Sequence, residues 1–258
     1  MKLFYREFGH GEPLLILHGL FGSCDNWNSL AKQFGEDYHV FVIDQRNHGL
    51  SEHSNEWNYE VMAKDIADFC EQHNLQKINL LGHSMGGKVA MFFSQKHAHL
   101  LNKLIVVDIS PRYYPPHHHA VLDALQSILP ERYESRKLIE EEFNKTTLDF
   151  GTKQFLLKNI YWKENADGTK QMAWRFNLPV IVENIENVGQ ALPDAEPFLG
   201  DTVFIRGEKS KYITDVDFEN INIHFPKAFV KTIADANHWV QAEKPKEFYE
   251  MTMDFLRA

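Results

Sequence analysis

Apolar residues in this chain fall in short unbroken runs separated by longer amphipathic stretches. Leu14-Leu15-Ile16-Leu17 and Val40-Phe41-Val42-Ile43 do not alternate with polar residues, as expected of strands buried on two faces in a parallel sheet. Ile78, Leu80 and Leu81 form a similar run with one polar interruption, and residues 103–109 another. Residues 2–8 do alternate, predicting an edge strand, and Gly9-His10-Gly11-Glu12-Pro13 turns the chain after it. Helical spacing appears between the runs. Residues 27–34 read as a helix that Asp25 or Asn26 would cap. Residues 58–73 bring Val61, Met62, Ile66, Phe69 and Cys70 to one face, and Met85, Val89, Ala90, Phe92 and Phe93 do the same further on. Strands return at 202–207 and 228–233, and 246–256 closes the chain as a helix. Strands alternating with helices predict an α/β fold with a mostly parallel, doubly wound sheet.

The alternation stops after Pro111. From there to Pro197 the pattern is mainly helical. Val121, Leu122, Leu125, Ile128 and Leu129 share one face, 133–144 reads as a charged helix, and Phe155, Leu156, Leu157 and Ile160 cluster. Asp167-Gly168 marks a hairpin turn between Tyr161-Trp162 and Met172 to Phe176, and 177–189 reads as a last helix. An aromatic-rich insertion of this size predicts a lid over the carboxyl edge of the sheet. The expected division is 1–110 and 198–258 as core and 111–197 as lid, with hinges near Pro111-Arg112 and Pro197.

Composition narrows the function. The 258 residues, 43% of them apolar, suit one large domain. A net charge of −9 with scattered basic residues argues against a nucleic-acid partner. Cys24 and Cys70 have no metal or redox spacing. No apolar run approaches the roughly 18 residues of a membrane span, and the first residues lack a signal-peptide pattern. The expected location is therefore cytoplasmic, with no cofactor, no metal and no membrane span; oligomeric state is not readable.

The chemistry centres on Gly82-His83-Ser84-Met85-Gly86, a G-x-S-x-G pattern between a predicted strand and a predicted helix. A serine on such a turn is held in a strained backbone with its hydroxyl clear of the sheet. The first amides of the following helix point at the same space and can hold an oxyanion. Ser84 then needs a base and an orienting acid. His238, in Ala236-Asn237-His238-Trp239, follows the last strand, where the order Ser, acid, His puts the base. The loop after 202–207 is the usual place for the acid, but Ser210 stands where an aspartate is expected. Asp108, at the end of the strand after the nucleophile helix, is the alternative, with Glu208 and Asp215 as further candidates. The amides of Leu20 and Met85 are the expected oxyanion hole.

Substrate-pocket candidates are His18, Phe21, His83 and Trp239; His18 suits loop bracing better than catalysis. Asp44 and Arg46 are expected to brace loops by an ion pair or by bonds to carbonyls. Cys24 reads as a buried filler near the pocket. Three adjacent histidines, His117-His118-His119, cannot all face one metal on a regular element, so a solvated loop is expected there.

Together these motifs resemble the α/β-hydrolase family over essentially the whole chain: HGLFGSCDNW after a third strand, DQRNHGLS after a fourth, GHSMGGK at the elbow and NHWV near the end. More narrowly, DQRNHGLS, GHSMGGKVAM, VVDISP, WRFNLPV and HWVQAEKP resemble esterases of the bacterial YbfF and animal ABHD-eleven type. That resemblance implies an acid after the sixth strand, which favours Asp108 and accounts for the missing aspartate near Ser210. It also implies hydrolysis of carboxylic esters, with acyl-CoA-like thioesters as a further class. The lid sequence matches less closely and leaves acyl preference open. The same scaffold also supports C–C bond hydrolysis, lyase and perhydrolase chemistry, and a binding module with a vestigial triad is the non-enzymatic rival. Ser84 argues against dehalogenase and epoxide hydrolase chemistry, which use an aspartate nucleophile.

Overall fold

The computed structural model describes residues 1–116 and 118–258. The chain runs β1 (Tyr5–Phe8), β2 (Glu12–Leu17), α1 (Asn28–Phe34), β3 (Tyr38–Ile43), α2 (Tyr59–Gln72), β4 (Ile78–His83), α3 (Met85–Lys96) and β5 (Leu101–Val107). Next come α4 (His119–Ser127), α5 (Arg136–Asn144), α6 (Phe150–Leu157), the hairpin β6 (Ile160–Glu164) and β7 (Lys170–Trp174), and α7 (Leu178–Glu183). The chain ends with β8 (Asp201–Gly207), α8 (Phe218–His224), β9 (Ala228–Ile233), α9 (Val240–Glu243) and α10 (Pro245–Arg257).

The main sheet is ordered β1-β3-β2-β4-β5-β8-β9, parallel throughout except for β1, which pairs antiparallel with β3 at the edge. Its unalternating strands are explained by two apolar layers. In β2, Leu15 and Leu17 face the α2 and α3 side with Ile66, Phe69 and Phe92. Leu14 and Ile16 face the α1 and α10 side with Trp27, Phe34 and Phe248. Asn58 caps α2, its side chain accepting from the Val61 amide at 3.0 Å.

Several local expectations need correction. HGLFGSCDNW and DQRNHGLS follow β2 and β3, one strand earlier than expected, because a single strand, β1, precedes β2. Neither Asp25 nor Asn26 caps α1, which starts after Trp27. A short 3-10 turn, Cys24–Asn26, comes first; Asn26 Oδ1 accepts from the Ser23 amide at 2.8 Å, and Asp25 pairs with Arg6 and Arg175. Helix α5 begins at Arg136 rather than Tyr133, behind a 3-10 turn at Pro130–Arg132 and capped by Ser135. Residues 177–189 are not one helix: α7 stops at Glu183, and a 3-10 segment, Ile185–Gly189, follows. The short helices α8 and α9 were not legible.

The segment between β5 and β8 lies against the loops at the carboxyl ends of the strands. Asn159 Nδ2 donates to the Phe21 carbonyl at 2.8 Å, the Asn177 amide to Asn47 at 2.9 Å, and the Tyr59 hydroxyl to Val188 at 2.7 Å. Among the described residues, no helix is long and apolar enough to cross a membrane.

Arg46 and Asp44 brace separate loops. Arg46 pairs with Asp65 through two bonds of 2.5 and 2.8 Å and donates to the Glu56 carbonyl at 2.8 Å. Asp44 accepts from the Cys24 amide at 2.6 Å and the Leu50 amide at 2.8 Å. The Arg46–Asp65 pair is buried on both sides, so removing one partner strands a charge in the interior. We expect Arg46→Met to lose about 3–5 kcal/mol of stability, and Arg46→Met/Asp65→Leu to recover most of it, in equilibrium denaturation by urea.

Candidate functional site

Ser84 joins β4 to α3 at φ +54° and ψ −118°, a conformation that a non-glycine residue adopts only under constraint. The constraint is steric and specific. A Cβ on Gly82 would lie 2.2 Å from the Gly86 carbonyl oxygen, and one on Gly86 would lie 2.5 Å from that of Leu17. The turn is therefore as tight as the G-x-S-x-G spacing implies. The Ser84 amide donates to Val107 at 2.9 Å, and Met85 begins α3 beside it.

His238 lies on the loop between β9 and α9. Its Nε2 is 3.0 Å from Ser84 Oγ and its Nδ1 is 2.8 Å from Asp108 Oδ2. Asp108 is fully buried just beyond β5, at φ +51°, with its amide bonded to Ile205 at 2.8 Å. Its carboxylate also accepts from the Gly207 amide at 3.1 Å and from the Ser210 hydroxyl. Burial pushes this carboxyl up to about 6, against the lowering pull of those two donors. A carboxylate at Nδ1 makes that nitrogen the donor and leaves Nε2 to face Ser84.

The other acid candidates are engaged elsewhere. Glu208 accepts from the Asp235 amide at 2.9 Å, and Asp215 pairs with Arg206 at 2.8 Å on the surface.

Leu20 and Phe21 form the corner of a turn closed by the Gly22 amide on the Gly19 carbonyl at 2.9 Å, with Phe21 at φ +59°. Among the described residues, no backbone carbonyl accepts from the Leu20 or the Met85 amide. Leu20 and Ser84 line one cleft together.

Two of the four pocket candidates line that cleft. Phe21 and Trp239 do, the latter with its ring 5.5 Å from Phe155. His18 does not: it is buried, its Nδ1 donates to Gly19 at 2.8 Å and its Nε2 accepts from the Gln45 amide at 3.0 Å. Burial holds it near 4 and so uncharged. His83 is likewise behind the site, donating from Nε2 to the His238 carbonyl at 2.9 Å and held at about 3 by burial. Both histidines are buried and brace loops through these bonds. Cys24 is buried away from Ser84, its thiol donating to Val42 at 2.9 Å.

Sequence reasoning missed several residues here. Tyr212 stacks on His238 at 3.8 Å with rings 17° apart. Ser210 donates to Asp108, and the absence of an aspartate at 210 was its only sequence signal. Of the three adjacent histidines, His117 lies outside the described residues. His118 is half-buried in the loop before α4 and lines the cleft, and His119 is exposed at the start of α4. Among the described residues, no group of three or more His, Cys, Asp or Glu side chains could hold a metal ion.

Comparison with known proteins agrees with this frame. A family model described as alpha/beta hydrolase fold matches residues 12–245. The sn-1-specific diacylglycerol lipase ABHD11 of Danio rerio is 37% identical, over 96% of this chain and 80% of its own length. Esterase YbfF of Escherichia coli is 32% identical, over 92% of this chain and 89% of its own. A solved structure, a marine microorganism esterase, superposes with a TM-score of 0.94 at 41% identity, covering 98% of this chain and 99% of that one. With the match running from β2 to the start of α10, the chain belongs to the α/β-hydrolase fold family.

Proposed function

We propose that this α/β hydrolase is a serine-dependent carboxylic-ester hydrolase. The esterases and lipases among its relatives support ester hydrolysis. The observation that carries the mechanism is the unbroken hydrogen-bond line from Asp108 through His238 to Ser84. In this reading His238 Nε2 takes the Ser84 proton as Oγ attacks the ester carbonyl. The resulting oxyanion is held by the amides of Leu20 and Met85, helped by the positive end of α3. Imidazolium then protonates the leaving alcohol oxygen, its C–O bond breaks, and an acyl-serine remains. Water, deprotonated by the same imidazole, attacks the acyl carbonyl; the imidazolium then returns the proton to Ser84 Oγ as the acyl–Oγ bond breaks, releasing the acid. Asp108 holds the Nδ1–H tautomer and stabilises the imidazolium throughout. Thioesters enter the same sequence with a thiol as leaving group. Segment 111–197 acts as a lid that closes the cleft over the ester.

Variants of the three residues, a covalent probe and the pH profile test this. Ser84→Ala and His238→Ala should each lose about 10⁴-fold or more of kcat on p-nitrophenyl acetate, with unchanged circular dichroism. A fluorophosphonate probe should label wild type and not Ser84→Ala; turnover surviving in either alanine variant would overturn the mechanism.

For the acid, Asp108→Asn should be crippled while Glu208→Gln stays near wild-type kcat/KM. The reverse ranking would move the role to Glu208.

The pH profile follows from the sign of the Asp108 shift. Catalysis requires the ionised carboxylate, and burial has raised its value to about 6, so kcat/KM should fall as pH drops through about 6. Ser210→Ala removes a hydrogen bond that favours the charged form. Its acid limb should therefore lie at higher pH than that of wild type. A limb displaced to lower pH would contradict the role of Asp108.

A further inference from the structure

The space around Ser84 is unequal on its two sides. On the side of His238, a cleft of about 150 Å³ is lined by Phe21, Val121, Thr152, Phe155, His238 and Trp239. A slot of about 20 Å³ shares Leu20, Ser84, His118 and Tyr212 with the cleft but extends instead to Tyr59 and Val188, and His238 does not line it. Beyond Tyr59 lies a further void of about 10 Å³, reached past Trp57, Met62 and Asn187 and sharing Tyr59, Met85 and Val188 with the slot. About 10–15 Å³ holds one water-sized group. The slot therefore takes a methyl or an ethyl, and the cleft takes a large group.

We infer that this enzyme selects esters of short acids with large alcohols, and that Tyr59 is the floor that limits the acyl chain. The inference rests on the mechanism proposed above, because the mechanism assigns the two sides. The leaving oxygen must lie close to His238 Nε2 to receive its proton, so the alcohol occupies the wide cleft. The carbonyl oxygen points at the Leu20 and Met85 amides. The remaining substituent of the tetrahedral carbon, the acyl chain, is then directed into the slot that lacks His238. Its end is closed by a wall that is tied in place. The Tyr59 hydroxyl donates to the Val188 carbonyl at 2.7 Å, and its buried ring lies 5.2 Å from that of Phe92. Tyr59 joins α2 to the 111–197 segment by this bond, so the floor is built by two elements distant in sequence.

The test is kcat/KM on two ester series: naphthyl esters from acetyl to octanoyl, and acetate esters from methyl to naphthyl. Wild type should favour acetyl and propanoyl over octanoyl by about 100-fold or more, a misfit of several methylenes in a closed pocket. Within the acetates, rates should rise with alcohol size. Tyr59→Ala should join the slot to the void beyond and raise hexanoyl relative to acetyl by about 10-fold. Val188→Ala should shift the profile the same way and decides the matter if Tyr59→Ala does not fold. Fluorophosphonate titration gives the active fraction of each sample. A flat acyl series, a preference for small alcohols, or variant profiles superimposable on wild type would overturn the inference. Turnover by Ser84→Ala would instead overturn the mechanism beneath it.

Discussion

Everything at this site depends on how closely α3 approaches the sheet. Gly82 and Gly86 are placed so that backbone meets backbone, a Cβ on either meeting a carbonyl, and a Cβ on Gly87 would lie 2.5 Å from the Ile109 side chain. With side chains excluded, the start of α3 sits directly over the end of β4, and the connecting residue has to take the strained conformation seen at Ser84. The strain is held by β4, which is fully buried, and by the apolar face of α3 with Val89, Phe92 and Phe93. Phe21 and Asp108 also take positive φ. Three of the loops that meet at Ser84 thus rest on left-handed residues that only a rigid sheet would support.

The same helix fixes the ends of the inserted segment. Lys88, one turn beyond Ser84, is wholly buried, and its ammonium donates to Pro111 at 3.1 Å, Arg112 at 2.7 Å and Gln190 at 2.8 Å. Burial and the nearby Arg112 lower it to about 7, but the three carbonyls and the Tyr114 ring 5.3 Å away compensate its charge. Arg112 is in turn held by Asp217 at 2.7 Å, and Asp217 also accepts from Ser110 at 2.9 Å. The Pro111-Arg112 junction at the start of the segment is therefore bonded to α3 through Lys88.

The legible part of the fold was the part whose periodicity is set by burial on two faces. β2 and β3 show as unbroken apolar runs and β4 as a run with one polar interruption, and α2 shows because its polar face is exposed. What escaped was determined by tertiary contact. The helix expected over 177–189 breaks at Asn184, and the 3-10 segment that follows ends at Gly189, which passes so close to Tyr114 that a Cβ would lie 1.9 Å from its carbonyl oxygen. His83 and His18 carry the chemistry of pocket residues in sequence, yet both are buried and bonded to loop backbone instead. Tyr212 could not be found from sequence, since its stacking on His238 depends on the path of the loop after β8.

The position of Asp108 shows why order along the chain is a weaker guide than adjacency in the sheet. β5 and β8 are parallel neighbours with Val107 opposite Ile205, so the ends of the two strands open into the same space. A carboxylate after either strand can reach an imidazole arriving from the loop after β9. Asp108 does so because its φ of +51° turns the chain as it leaves β5, while its amide remains bonded to Ile205. Ser210, on the β8 loop, fills the other position with a hydroxyl that donates to Asp108 rather than a second carboxylate that would repel it. The substitution is thus coherent on both strands. With the charge moved to β5, the β8 loop has to supply a donor, and Ser210 together with the Gly207 amide provides two.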